Sequence, residues 1–416
     1  MVAQPKLDAL NARLDALTQS AGGGWLGAAR EDALGRLKAV GLPHRRDEYW
    51  RYTDPSALVS VAPAAGGEDE EADPFDEIDC FEITIEDGEP SWRGDLPEGI
   101  DIGSVAQEGS ADIHWARDIY GVLEAAGSRP VTRSLAMLNT AFATDGLLLH
   151  VHGTVDMPIH IRYVGGGDPI LHHCVKIDSQ ASVTLLESGY PGARFNTVME
   201  VDIADGGACD HIRIQGRGAD RHANTHLFAR LGSESAFKSF TLSQNGTLTR
   251  NEAVLDLTGD DASAHVAGAA IGANAFHHDD TVFVTHGALN CESRQVFKKV
   301  LRDGATGVFQ GKILVKEGAQ KTDGYQISQS LLLDDDSVFL AKPELEIYAD
   351  DVACSHGSTT GAIDETALFY LRSRGVPRKD AEDLLVLSFL AEAVEEIADE
   401  ELRQHVTDLL EGWLRD

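Results

Sequence analysis

From about Phe75 to Thr360 the chain is written almost entirely in short apolar or alternating runs. Each is of strand length, and most are followed by Gly, Asp or Asn. Gly146–Val151 (GLLLHV), Ile159–Val164 (IHIRYV), Val183–Leu186 and His211–Gln215 belong to the series. So do Phe240–Leu242, Ala253–Leu257, Thr281–Thr285 and Lys312–Val315. Within it, Ile113–Ala126 and Thr132–Ala143 carry a helical period. Strands continuing this far without intervening helices exclude a doubly wound α/β fold and a βα barrel. A sandwich, a propeller and a parallel β-helix are left. No WD or kelch signature is present, which weighs against the propeller. Period alone does not separate sandwich from β-helix. The length of the strand rhythm favours the β-helix, whose ends need capping elements.

The flanks can supply those caps. Leu7, Leu10, Leu14 and Leu17 recur at helical spacing. After a break at Gly22-Gly23-Gly24, a second helix is predicted over Trp25–Ala39 and stopped by Gly41-Leu42-Pro43. Ala62–Pro74 (APAAGGEDEEADP) is acidic, nearly free of bulky apolar residues, and reads as an exposed linker. Near the other end Asp364 can cap a helix running to Arg374, with Gly375 closing it and Pro377 beyond. Two further helices are predicted over Arg378–Ile397 and Glu400–Leu414. In the first, Leu384, Leu385, Leu387, Phe389, Leu390 and Val394 cover more than one stripe, so it needs partners on more than one side. The expected organisation is a helical region 1–61, a linker 62–74, a β-helix core 75–362 and a C-terminal helical domain 363–416.

Composition narrows the function classes. With 68 acidic against 35 basic residues, the net charge of −33 repels nucleic-acid phosphates and anionic lipid. The five cysteines (Cys80, Cys174, Cys209, Cys291 and Cys354) are scattered and form no C-x-x-C pair. That pattern speaks against a disulfide framework and a tetrahedral zinc site. Met1–Leu10 lacks a charged segment followed by an apolar one, and no apolar stretch approaches membrane-spanning length. The expectation is a reducing cytoplasm.

Several motifs fail on inspection. Gly307-Val308-Phe309-Gln310-Gly311-Lys312 resembles a phosphate loop, but its glycines are too close and Ile313 stands where Ser or Thr is required. Gly165-Gly166-Gly167 and Gly216-Arg217-Gly218 read as turns. His172-His173 and His277-His278 are tempting metal ligands, yet adjacent strand residues point to opposite faces and cannot share one ion. Surface or turn histidines are the expectation there. Neither H-E-x-x-H nor G-x-S-x-G occurs. One constellation keeps its interest: Tyr348-Ala349-Asp350-Asp351-Val352-Ala353-Cys354-Ser355-His356-Gly357. Cys354 and His356, two apart in an extended strand, share a face and suit a soft metal or a sulfur species. Asp350 and Asp351 add oxygen ligands if the chain turns back. Two ligands hold no cluster, so a second chain would have to complete the site. The alternative is a buried cysteine beside a hydrogen-bonded histidine.

Longer motifs carry a family resemblance. Leu42–Thr53 (LPHRRDEYWRYT) resembles the N-terminal signature of SufD-type proteins. The run Ser293–Gly361, containing SRQVFKKVL, GVFQGKILVKEGAQKTDGYQ and LLLDDDSVFLAKPELEIYADDVACSHGSTTG, is similar to the core of the SufB/SufD family, and Leu368–Gly375 continues it. Ala353–Gly357 is SufD-like where SufB proteins carry a His–Glu pair, and SufB-type cysteines are missing around Gln329–Leu333. Gly324–Gln329 is less Asn-rich than the family pattern. The resemblance implies a right-handed parallel β-helix between helical N- and C-terminal domains, and a role as a non-catalytic scaffold in SUF iron–sulfur cluster assembly. It implies SufB as partner through the β-helix and the ATPase SufC through the C-terminal helices, with no nucleotide bound by this chain. A transient cluster would be built at the SufB–SufD interface, with His356 and neighbouring Cys354 as candidate cluster and iron ligands. A homodimer of the isolated chain stays open. The rival readings are a β-helix enzyme acting on polysaccharide and an inert structural adaptor.

Overall fold

The computed structural model describes residues 4–18, 23–62, 72–216, 218 and 220–415. The centre of the acidic stretch, 63–71, lies outside them, as do Gly22 of the glycine break and Arg217 of the turn expected at Gly216–Gly218. Asp73, at the stretch's far end, is buried and accepts from Ser188 Oγ at 2.6 Å.

The core is a parallel β-solenoid of about seven turns. Among the described residues one sheet has ten strands and the other nine. Strands 159–164, 182–190, 208–215, 236–244, 263–273, 292–302, 323–332 and 353–361 stack in the first sheet. Strands 147–151, 170–177, 194–203, 222–231, 248–257, 277–286, 306–315 and 338–347 stack in the second. From Leu147 onward the chain alternates between them, one strand in each per coil. Antiparallel pairing of 81–86 with 89–92 and of 100–104 with 147–151 closes the first coil.

The turns explain the even stacking. Each first-sheet strand from Ser182 to Asp323 follows, two residues on, a left-handed residue: Gln180, Gly206, Glu234, Asp261, Asn290 or Lys321. A single αL residue reverses the chain within a few positions, and a repeated one keeps successive coils in register.

Helices cover the outer face of each sheet. Val386, Leu390, Ala393 and Val394 of helix Arg378–Val394, with Leu402, Val406 and Leu410 of Glu400–Arg415, pack on Ile212, Phe240, Ala267 and Val296 of the first sheet. The second sheet is covered by Gly24–Val40, Val122–Gly127 and Ser134–Phe142. Strands buried on both faces lose the polar–apolar alternation of a half-exposed sheet. Asp364 caps Glu365–Ser373 by accepting from Thr366 N at 2.8 Å and Ala367 N at 3.2 Å, as the sequence predicts. The helix expected over Ile113–Ala126 is broken. Trp115–Asp118 is a 3-10 turn, Gly121 is left-handed, and the helix begins only at Val122. Among the described residues no helix is long and apolar enough to cross a membrane.

Candidate functional site

Both sheets end together. Val338–Ile347 and Ala353–Gly361 are the terminal strands, each paired among the described residues along one edge only, by Thr306–Val315 and Asp323–Leu332 respectively. Their free edges offer backbone donors and acceptors, a template for another chain. Cys354 lies in register with Gly324, and His356 with Gln326. Two apart on one strand, their side chains share a face.

Cys354 is half-buried and packs on the cluster of Ile313, Val315, Ala319 and Ala349. A Cβ on Gly324 would come within 3.2 Å of its Sγ, so the glycine beneath it makes room for the thiol. Burial pushes the thiol pKa up. His356 is exposed. Beneath it, Gln326 donates to Gln295 Oε1 at 2.8 Å, while Gln326 Oε1 and Gln295 Nε2 are buried without a hydrogen-bond partner among the described residues. Further along, Ser328 donates to Ser358 at 3.1 Å and Ser330 to Thr360 at 3.2 Å. Asp350 and Asp351 are exposed in the turn leading into the terminal strand.

Behind this end lies a polar tract that sequence reasoning missed. Hydrogen bonds cross the lumen from one sheet to the other: Tyr163 OH to His173 Nε2 at 3.2 Å, Arg213 to Thr225 at 3.0 Å, and Gln215 to Asn251 at 3.0 Å. Lys299 Nζ then reaches His278 Nδ1 and Asp280, each at 2.7 Å. Burial alone would raise the Glu187 carboxyl. The Arg213 guanidinium and the His211 imidazole, 2.6 Å away, outweigh it and hold the group well below the usual carboxylate range. The recurrence of polar residues at inward positions of successive coils was the available signal, and it needs the register to be seen.

The apparent phosphate loop is a strand. Gly307–Lys312 lies inside Thr306–Val315, and a Cβ on Gly311 would sit 2.3 Å from Gln326 Nε2. The glycine accommodates the amide. Lys312 pairs with Glu346 instead of facing a loop cradle. The paired histidines do split between faces, but they are neither surface nor turn residues. His172, His173 and His278 are fully buried, and half-buried His277 meets Thr53 Oγ1 at 3.0 Å. Strand interiors here bury polar side chains in pairs, which composition does not reveal.

The segment Leu42–Thr53 straps across the outer face of the second sheet toward the open end. Trp50 stacks under the Arg250 guanidinium at 4.2 Å, and Tyr49 donates to Glu344 at 2.7 Å. Lys342 sits 4.0 Å over the Tyr49 ring and pairs with Glu48 at 2.7 Å. The N-terminal motif thus braces the terminal strand of that sheet.

Comparison with known proteins agrees with this architecture. Residues 166–389 match the family model described as SUF system FeS cluster assembly, SufBD core domain. The chain is 28% identical over 395 residues to the iron-sulfur cluster assembly protein SufD of Escherichia coli, covering 90% of this chain and 89% of that protein. It is 28% identical over 292 residues to SufD of Bacillus subtilis (67% and 66% covered). With the chloroplastic protein ABCI7 of Arabidopsis thaliana it shares 27% over 418 residues (92% and 85%). The matched core takes in both terminal strands, Cys354, His356, helix Glu365–Ser373 and most of helix Arg378–Val394, and on that ground the chain belongs to the SufB/SufD family of iron–sulfur cluster assembly proteins.

Proposed function

We propose that this chain is a scaffold subunit that pairs through the open end of its solenoid with SufB and engages the ATPase SufC through its C-terminal helices. A nascent iron–sulfur cluster, the cargo, would be held at the first of these contacts by His356 and Cys354. The observation that carries the reading is the open end itself. Two terminal strands present free edges where a thiol and an exposed imidazole share one face. A neutral imidazole offers a nitrogen lone pair to iron, and a thiolate suits iron or sulfur. The amide nitrogen of Gln295 and the amide oxygen of Gln326, without partners among the described residues behind His356, favour a polar occupant. For the ATPase contact, Phe369 and Tyr370 are 73% and 55% exposed on the helix after the solenoid, and Leu384 is 50% exposed on the next. Exposed apolar side chains grouped in this way suit a partner surface.

The test is co-expression with both partners, comparing the wild type with His356→Ala and Phe369→Asp. His356→Ala should assemble normally yet lose about tenfold of the cluster absorbance and iron. Phe369→Asp should keep SufB and lose the ATPase. Wild-type cluster content in His356→Ala would withdraw the site, and retained ATPase would withdraw the helical contact.

A further inference from the structure

On the outer face of the second sheet, far in sequence from Cys354, three ligand-type side chains converge. Cys174 and Glu200 are register partners on neighbouring strands, and His172 lies two residues before Cys174 on the same face. All three are wholly buried, and a His172 ring nitrogen, Cys174 Sγ and a Glu200 oxygen lie within 4.8 Å of one another.

The hydrogen bonds fix which atoms face inward. Asn139 Nδ2 donates to the carbonyls of Leu171 at 2.9 Å and Asn196 at 3.0 Å, so its Oδ1 is an acceptor for His172 Nδ1 at 3.0 Å. The Nδ1 therefore carries the hydrogen, and the Nε2 lone pair points at Glu200, 2.8 Å away. A second partner that orients the imidazole in this way is the usual support of a metal-ligating histidine. Glu200 is held from behind by Gly121 N at 2.6 Å and Glu124 N at 2.7 Å. The Tyr120 ring stacks on His172 at 3.9 Å, and Trp25, Leu26 and Phe228 belong to the surrounding apolar cluster. Burial pushes the Glu200 carboxyl up to about 8, so it carries the proton between itself and Nε2, and the Cys174 thiol is protonated too.

We propose that His172, Cys174 and Glu200 form a binding site for one divalent transition-metal ion of the zinc and ferrous class. Imidazole, thiolate and carboxylate are the donors such an ion takes. Binding releases the thiol and carboxyl protons, so two negative ligands meet a 2+ ion and the buried site stays neutral. The ligands belong to two adjacent strands under one helical roof, so the ion would pin that roof to the solenoid independently of the open end.

The full-length chain, purified without a histidine tag, is unfolded and refolded with Co²⁺, then desalted. Wild type should keep one equivalent with a thiolate-to-cobalt charge-transfer band. Cys174→Ser should lose the band, and Asn139→Leu should weaken affinity by about 10–100-fold. The double variant Cys354→Ser/His356→Ala should keep it, which separates this site from the proposed cluster site. Should Cys174→Ser not refold, the near-isosteric Glu200→Gln takes its place with the same expected loss. Wild type retaining no cobalt, or a band unchanged in Cys174→Ser or Glu200→Gln, overturns the proposal.

Discussion

The lumen of the solenoid has two unlike corners. One joins the first halves of first-sheet strands to the last halves of second-sheet strands, and Val183, Phe237, Val266, Val201, Leu231, Leu255, Leu257 and Val284 fill it. The other joins the opposite halves and holds Glu187, Arg213, Gln215, Asn251, His278, Asp280 and Lys299 in hydrogen bonds that run between neighbouring coils and across the two sheets. Apolar stacking tolerates small shifts and gains with every coil added. The polar corner gains little net free energy but is costly if any member loses its partner. The apolar corner therefore stabilises the stack, while the polar corner makes one alignment of the coils much better than its neighbours.

The largest effect should come from half-removing a polar group. Glu187→Ala leaves the buried Arg213 and His211 without their acceptor and should cost about 3–5 kcal/mol in urea unfolding. Replacing all three together by Leu, Leu and Met should cost less than the single change, because no orphaned charge is left. A triple variant worse than Glu187→Ala would mean the polar corner contributes net stability, against the contrast drawn here.

In the apolar corner, Leu255→Ala should cost about 3 kcal/mol through lost burial and a residual cavity. A loss under about 1 kcal/mol would show that this side collapses or hydrates easily and is not the stabilising one.

The smallest effect concerns His286, a polar residue placed among the ends of the apolar strands. Its Nε2 meets Ser293 Oγ at 2.8 Å, its Nδ1 has no partner among the described residues, and burial lowers its pKa to about 4. The unfolded chain takes up the proton first, near pH 6.5, while the folded chain resists until about pH 4. Stability contributed by keeping this ring neutral is complete above pH 6.5, falls between 6.5 and 4, and levels off below. The loss should be on the order of 1 kcal/mol per pH unit, and His286→Leu should flatten that part of the stability–pH curve. An unchanged slope in the variant would place the titration elsewhere.

The same contrast explains how much could be read without coordinates. In the second sheet, Ala253–Leu257, Thr281–Thr285 and Lys312–Val315 were legible as strands because they end in the apolar corner. The strands in fact start earlier, at Leu248, His277 and Thr306. Their first halves, such as Leu248–Glu252 and His277–Asp280, fall outside those apolar runs because they carry Arg250, Glu252, Asp279 and Asp280. In the structure these four are buried and paired: Arg250 with Glu252 and Asp279, Asp280 with Lys299. Propensity and polarity registered the charge. They could not register that Arg250 meets Asp279 on the next coil, Glu252 meets Arg133 beneath the covering helices, and Asp280 meets Lys299 across the lumen.

What the sequence determined by itself was whatever local geometry enforces. Strand-length runs without helices led to a solenoid. Asp364 and Gly375 bounded the first C-terminal helix. The two-residue period placed Cys354 beside His356 and sent His172 and His173 to opposite faces. The tertiary structure alone decided what meets across coils. Cys174 and Glu200 are far apart in sequence and adjacent in space because left-handed turn residues set the length of each coil. The pairing of Gly324 with Cys354, the polar corner and the open end arise in the same way. Register between successive coils is a property of the closed stack, and no window of sequence shorter than a coil contains it.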